Sequence, residues 1–223
     1  MKNAKYHIEF DIDFKRNKYP GKFIVIEGNE GSGKSVQIES LFKSLQKEGY
    51  KVVRTKEPTD MPVGKIIRNE VLSGKIKVPP QTLQYLYCAD RAMHLEKVEQ
   101  LLKKGFCVIS DRYFWSSVAY GTADVWKDED DFYLMAYSLL SMYHRFLTPD
   151  ITFYLHIDFK TAMKRIKASH KHKEIYDNEK MWPRIEKGYE FLLKKFPKEI
   201  VRINGDRSID EVTKEMVKRI KKI

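Results

Sequence analysis

The sequence predicts an α/β fold in which five parallel strands form a sheet covered by helices on both faces. Three observations predict it. Short apolar runs typical of buried strands recur along the chain, at 23–27, 51–55, 106–110, 151–156 and 199–203. Longer stretches with helical spacing separate these runs, and this alternation is typical of parallel sheets. A glycine-rich loop follows the first run and opens the first helix, which indicates the three-layer P-loop class of α/β folds.

The helices between these strands follow from spacing and from their ends. Gly49 and Gly105 each stand just ahead of a strand, where a glycine commonly ends a helix. The predicted helices lie at about 33–48, 62–73, 81–104, 130–146, 159–169, 178–196 and 208–222. No internal repeat or linker divides the chain, so we predict one domain over residues 22–223.

The first 21 residues have a different pattern. Between Tyr6 and Phe14, apolar side chains at even positions alternate with polar side chains at odd positions. A period of two is the mark of a half-buried strand. Tyr19-Pro20-Gly21 then interrupts it. We therefore predict a strand-like N-terminal arm, residues 1–21, attached to the main domain.

Composition limits the function classes. The chain has 223 residues, of which 42% are hydrophobic, and no apolar run approaches the roughly 18 residues that a membrane-spanning helix needs. Cys88 and Cys107 are too few for a disulfide framework. The formal charge of +11 suits an anionic partner, yet no nucleic-acid-binding motif is present. We expect a cytoplasmic protein that binds small polyphosphates rather than nucleic acid or a membrane.

The loop from Gly28 to Ser35 satisfies the pattern G-x-x-x-x-G-K-[ST]. Glycines let the backbone curl so that several N–H groups converge on a phosphate, and the helix N-terminus adds positive charge. Lys34 is suited to the β- and γ-phosphates, and the Ser35 hydroxyl is suited to Mg²⁺. We predict that this segment binds the phosphates of a nucleotide through Gly28, Asn29, Gly31, Ser32, Gly33, Lys34, Ser35 and Val36. ATPases, GTPases and kinases share such a loop, so the loop alone does not fix the reaction.

The ends of the other strands carry further charged side chains, where doubly wound sheets place their ligands. Asp111 follows an apolar strand directly and is a candidate Mg²⁺ ligand alongside Ser35. Arg112 comes next and suits a second phosphate. Arg68 and Arg91 lie on predicted helices nearby, although surface exposure is the ordinary position of an arginine.

Several motifs together are similar to those of the thymidylate kinase family over roughly residues 22–220. They are the P-loop with an acid at Glu30, Glu57-Pro58, Ala89-Asp90-Arg91, Asp111-Arg112-Tyr113, the Ser-Ser-x-Ala-Tyr segment at 116–120, and NGDRSIDEV at 204–212. This resemblance implies roles for single residues. In such enzymes the acceptor nucleotide dTMP is held by residues that correspond to Glu30, Glu57, Arg68, Tyr87, Arg91, Arg112, Ser117 and Tyr120.

Within that set, the resemblance implies that Arg68 and Arg112 hold the acceptor phosphate and that Arg91 reads the base edge. Tyr87 stands where the family usually has a phenylalanine that stacks on thymine, and a plain core position is the alternative. Tyr120 corresponds to the ring that crowds the 2′ position of the sugar. Two residues outside the set, Arg165 and Asp206, are expected on the adenine side of ATP.

A charged stretch of few large apolar residues, 168–180, is a candidate lid. Related enzymes place an arginine in the P-loop or the lid, and this chain has neither. We therefore expect Lys173 to supply the transition-state charge, with Arg184 as the alternative. The predicted catalytic residues are Lys34, Glu30, Arg112 and Lys173.

The resemblance implies transfer of the γ-phosphoryl group of ATP to dTMP, with Mg²⁺, by a homodimer. Two alternatives stay open at this point. One is a kinase for another acceptor, such as dUMP or UMP. The other is a nucleotide-binding module without kinase activity.

Overall fold

The computed structural model of the chain describes residues 7, 9, 11–125, 127–168 and 179–223. Seven strands are present in this part: β1 Lys15–Arg16, β2 Phe23–Glu27, β3 Val52–Lys56, β4 Cys107–Asp111, β5 Leu147–Thr148, β6 Ile151–His156 and β7 Ile200–Asn204. The helices are α1 Lys34–Lys47, α2 Pro62–Ile66, a π-helix Ile67–Leu72, α3 Pro80–Lys103, α4 Phe114–Val125, α5 Glu129–Met142, α6 Phe159–Ala168, α7 Met181–Lys195 and α8 Ile209–Ile220.

The main sheet has the strand order β3-β4-β2-β6-β7, and every neighbouring pair is parallel. The carboxyl ends of all five strands therefore meet at one edge, and β2, which leads into the glycine-rich loop, lies at the centre. The predicted fold class is confirmed. Each of the five predicted strands is present within one residue of its expected bounds.

The hydrophobic core lies on both faces of this sheet. Phe23 and Val25 of β2 belong to one buried cluster, and Ile24 and Ile26 belong to another. Successive side chains of a strand point to opposite faces, so an unbroken apolar run is what a strand covered on both sides requires. Helices α1 and α8 supply the second cluster, and α3, α4, α5 and α7 supply the first.

Helix α4 was not predicted from the sequence. Nine of its twelve residues are buried, so its sequence shows no polar face and no 3.6-residue stripe. It also contains serine, threonine and glycine, which have low helix propensity. Its packing against α5 and α7 overrides that propensity.

The described part of the N-terminal arm contains the two-residue strand β1. Within this described part, residues 11–14 have no strand pairing, and Lys15 and Arg16 pair in parallel with Leu147 and Thr148. The alternation nevertheless sets which side chains face inward. Phe14 packs on the rings of Phe114, Trp115 and Phe196, with centroid distances of 5.8, 6.1 and 5.8 Å. Phe14 is therefore half-buried against helices and needs no strand ladder.

Candidate active site

The glycine-rich loop connects the central strand β2 to helix α1. Gly28, Gly31 and Gly33 have φ angles of 150°, 77° and 92°, which side-chain-bearing residues rarely adopt. A Cβ atom on Gly28 would lie 2.8 Å from the carbonyl oxygen of Leu155. The loop is therefore packed against β6 as well as curled. Lys34 is buried beneath it and donates to the carbonyl oxygens of Gly28 at 3.0 Å and Asn29 at 3.2 Å.

Glu30 lies between two cations of the site, Lys34 and Arg112. Its Oε1 atom is 3.2 Å from Lys34 Nζ and 2.6 Å from Arg112 Nη2. The charge of Lys34, with that of Arg112, holds the pKa of the Glu30 carboxyl at about 2, against the opposing effect of burial. Glu30 is therefore ionised at neutral pH. It links the phosphate loop to the end of β4.

Arg112 stands at the end of β4 with a φ angle of 70°. This left-handed conformation is uncommon for a residue other than glycine and marks local strain. The conformation turns the arginine toward the loop, where Nη1 donates to the Gly28 carbonyl at 3.1 Å. Its guanidinium carbon also lies 5.0 Å from the centre of the Tyr120 ring. These contacts hold the guanidinium of Arg112 in one place and offset the strain of its backbone.

Glu27, the last residue of β2, is a site residue that sequence reasoning missed. It is fully buried, and its Oε1 accepts from the backbone N–H groups of Tyr113 at 3.0 Å and Ser116 at 3.2 Å. Its Oε2 accepts from the hydroxyls of Ser116 and Tyr189. Burial raises the pKa of Glu27, and Arg112 nearby offsets part of that rise. A carboxylate at the end of an otherwise apolar strand was the available signal.

The other half of the site is built on α3. Gln84, Tyr87 and Arg91 follow at i, i+3 and i+7, so they share one face of the helix, and all three line the same cavity. Arg91 is buried and donates from Nε to Glu57 at 2.6 Å. Its Nη1 atom donates to Ser117 Oγ at 3.0 Å and to the Tyr143 hydroxyl at 2.9 Å. Arg91 is thus fixed in position, and the Ser117 hydroxyl is already engaged by it.

Gln84 was also missed by the sequence analysis. Its side chain is buried, and neither its amide nitrogen nor its amide oxygen has a hydrogen-bond partner among the described residues. The amide packs against Gly121 of α4, where a Cβ atom would lie 3.2 Å from Gln84 Nε2. A lone glutamine within a helical apolar stretch gave no signal in the sequence.

Arg68 lies in the π-helix that follows α2. Its Nη2 atom is 2.5 Å from Asp60 Oδ1, and its Nη1 atom donates to the carbonyl oxygen of Pro58. The Pro58 segment is itself held by Asp90, whose carboxylate accepts from the backbone N–H and hydroxyl of Thr59 at 2.8 and 2.5 Å. Single-turn π segments are frequent at functional sites. Here one presents an arginine toward the cavity.

On the opposite side, Arg165 of α6 reaches the segment after β7. Both its terminal nitrogens donate to the Gly205 carbonyl at 3.2 Å, and Nη2 is 3.6 Å from Asp206 Oδ1. Arg165 Nη1 also lies 4.0 Å from the position of a Cβ atom on Gly33. Arg165 and Asp206 therefore stand together beside the start of α1.

One cavity of about 580 Å³ joins these groups. Most residues predicted for the site line it: Glu30, Gly31, Gly33, Lys34, Ser35, Val36, Glu57, Arg68, Tyr87, Arg91, Asp111, Arg112, Ser117, Tyr120 and Arg165. Gly28, Asn29 and Ser32 belong to the loop beneath it, and Asp206 pairs with Arg165. The predicted lid, 168–180, lies mostly outside the described residues, and Lys173 lies wholly outside them.

The cavity thus has a loop and helix N-terminus suited to phosphates at one end, and an arginine and aromatic pocket at the other. The thymidylate kinase family matches residues 26–216 of this chain. The chain belongs to the thymidylate kinase family. The predicted family and the predicted enzyme class, an ATP-dependent kinase, are confirmed.

Individual thymidylate kinases show the extent of the similarity. The probable thymidylate kinase of Thermococcus gammatolerans is 35% identical over 205 residues, which cover 88% of this chain and 94% of that protein. The probable thymidylate kinase of Methanocaldococcus jannaschii is 36% identical over 201 residues, covering 90% and 96%. The structure of Candida albicans thymidylate kinase superposes with a TM-score of 0.75 over 91% of this chain and 92% of that one, at 24% identity. The last match shows the shared fold.

Two oxygen donors in the cavity, from Asp111 and Ser35, have the chemistry that Mg²⁺ requires. Asp111 Oδ1 is buried and has no hydrogen-bond partner within the described part of the chain, although an ordinary buried carboxylate oxygen is paired. The Ser35 hydroxyl lines the same cavity. One carboxylate and one hydroxyl, completed by nucleotide phosphates and water, form the usual Mg²⁺ environment of P-loop nucleotide sites. The residues therefore fit the ion.

Proposed function

We propose that this thymidylate kinase transfers the γ-phosphoryl group of ATP to dTMP, giving ADP and dTDP. The observation that carries the proposal is that one cavity is lined by the phosphate loop, by Tyr87 and Arg91, and by Arg112 and Glu30. Two anionic nucleotides repel each other, so a kinase for them needs cations between two binding regions. The cavity supplies Lys34 and Arg112 there.

On the donor side, the N–H groups of the loop and the N-terminus of α1 bind the phosphates of ATP. Lys34 turns from its own loop carbonyls toward the β- and γ-phosphates. Ser35 and Asp111 would hold Mg²⁺, which neutralises phosphate charge and orients the transferring group. Arg165 and Asp206 border the adenine side of this region.

On the acceptor side, Arg112 and Arg68 bind the phosphate of dTMP, and Tyr87 stacks on the thymine ring. Arg91 donates a hydrogen bond to the base from a guanidinium already fixed by Glu57. Glu30 and Glu57 complete the acceptor pocket. Tyr120, whose ring lies against Arg112, occupies the space beside the sugar and favours deoxyribose. In the transfer step these residues hold the acceptor oxygen in line with the γ-phosphorus and stabilise the developing negative charge.

We place Lys173 as the lid cation in the transition state. We also place the enzyme in the cytoplasm as a homodimer. The exposed apolar side chains Tyr133, Leu134 and Tyr137 of α5 support an interface with a second copy. Among the described residues, no helix is long and apolar enough to cross a membrane.

The test is a substrate panel in which ADP release is measured with ATP, Mg²⁺ and each of dTMP, dUMP, UMP or no acceptor. The expected result is turnover that depends on dTMP and stops when the divalent cation is chelated. Equal or faster turnover with dUMP or UMP would assign a different acceptor. ADP release without any acceptor would indicate an NTPase, and ATP binding without turnover would indicate a binding module.

A further inference from the structure

A buried chain of hydrogen bonds runs from strand β3 to the base pocket through His94. Thr55 Oγ1 lies 2.6 Å from His94 Nε2, and His94 Nδ1 lies 2.9 Å from Glu57 Oε1. The other carboxylate oxygen of Glu57 accepts from Arg91 Nε at 2.6 Å. None of the roles assigned above involves His94, although His94 is buried, as is Glu57.

The direction of one of these bonds follows from the donor inventory. Arg91 is permanently protonated and donates to Glu57. An ionised carboxylate has no proton to donate, so His94 Nδ1 must carry the hydrogen that points to Glu57 Oε1. Each Glu57 oxygen therefore has its own donor, one from Arg91 and one from His94, both on α3. With both oxygens held, the Glu57 carboxylate cannot rotate about its terminal bond.

This restraint decides which part of Arg91 is left for a ligand. Nε is engaged by Glu57, and Nη1 is engaged by Ser117 and Tyr143. Arg91 Nη2 makes no hydrogen bond with any residue that the structure describes, and the side chain lines the cavity. The fixed Glu57 thus keeps the guanidinium in the plane that leaves Nη2 available to the cavity.

We propose that His94 is a positioning residue for base recognition: through Glu57 it fixes the Arg91 guanidinium that donates to the acceptor base. This rests on the proposed function, in which dTMP is the acceptor. His94 touches neither nucleotide and acts only through Glu57. Its loss should therefore weaken dTMP binding and leave ATP binding and the transfer step largely intact.

The test compares two polar substitutions that each keep half of the imidazole. In His94→Asn the amide nitrogen can replace Nδ1 and donate to Glu57, whereas in His94→Gln the longer amide replaces Nε2 and reaches Thr55. We expect His94→Gln to raise KM for dTMP about tenfold, which corresponds to about 1.4 kcal/mol. His94→Asn should stay within about twofold of the unmodified enzyme, and both variants should keep kcat and the KM for ATP within about twofold.

Val98→Ala is the structural control, because Val98 lies one turn further along α3, is buried and is apolar. It should lower the melting temperature without changing KM for dTMP. Equal KM values for the Gln and Asn variants would overturn the inference, as would a joint loss of kcat and both KM values. If the unmodified enzyme does not phosphorylate dTMP, the proposed function fails instead, and that result is read before any variant is made.

Discussion

Glu30 offers a quantitative test of the site electrostatics. Lys34 and Arg112 hold its pKa at about 2, compared with an ordinary value of 4.5. At about 1.4 kcal/mol for each pKa unit, this difference stabilises the folded state by about 3 kcal/mol at neutral pH. Glu30→Gln removes the charge while keeping the size of the side chain. We expect the free energy of unfolding at pH 7 to fall by about that amount.

The stabilisation by Glu30 should decrease as the pH falls. A carboxyl whose pKa is lowered in the folded protein stabilises the fold above pH 4.5 and loses that effect as the pH falls toward 2. By pH 3, about 2 kcal/mol of the stabilisation should be gone, because the unfolded chain binds the proton first. The gap between the unmodified protein and Glu30→Gln should therefore shrink from about 3 to about 1 kcal/mol between pH 7 and pH 3.

The assay is urea-induced unfolding of both proteins, without nucleotides, at several pH values in this range. Glu48→Gln is the matched control, since Glu48 also pairs with a lysine, Lys221 at 2.7 Å, but is exposed. Exposed pairs contribute about 0–1 kcal/mol, so this control should change stability little at any pH. A gap for Glu30→Gln that stays constant from pH 7 to pH 3 would refute the reasoning.

Two further predictions concern stability. Gln84→Leu should leave the melting temperature of the nucleotide-free protein unchanged or raise it. The reason is that an apolar side chain of similar size replaces a buried amide that has no partner among the described residues. A clear fall in the melting temperature would show that the amide is hydrogen-bonded in the native protein. Phe14→Ala should destabilise the fold by about 2 kcal/mol, since a half-buried ring that contacts three aromatic rings is lost. Its kcat in the folded fraction should be unchanged, and a selective loss of activity at unchanged stability would instead tie the arm to the active site.

The sequence was most informative where chemistry requires particular residues at a fixed spacing. A phosphate loop needs glycines at positions of positive φ, followed by Lys34 and Ser35, so its position and conformation could be predicted. The position of Asp111 and Arg112 in the cavity was also predictable, because charged residues that follow a strand lie at the ligand edge of a parallel sheet. The strands were predictable because burial on both faces requires continuous apolar runs.

What could not be predicted depends on contacts between distant segments. Helix α4 has no polar face, so its periodicity is hidden, and its helical state follows from packing against α5 and α7. The contacts of Glu27 depend on β2 packing against the start of α4. Those of His94 depend on α3 packing against β3. That the buried amide of Gln84 lacks a hydrogen-bond partner among the described residues can be recognised only from the three-dimensional positions of its neighbours.

The carboxylate of Glu27 also affects which helix N-terminus can bind an anion. Helices α1 and α4 both begin at the edge of the sheet where the parallel strands end, and a helix N-terminus attracts negative charge. The carboxylate of Glu27 lies at the N-terminus of α4, where it accepts hydrogen bonds from the backbone N–H groups of Tyr113 and Ser116. The other, at Gly33, has no side-chain cap and stays open. A polyphosphate that binds at this edge can therefore use the N-terminus of α1, whereas the N-terminus of α4 is already neutralised by the chain's own carboxylate.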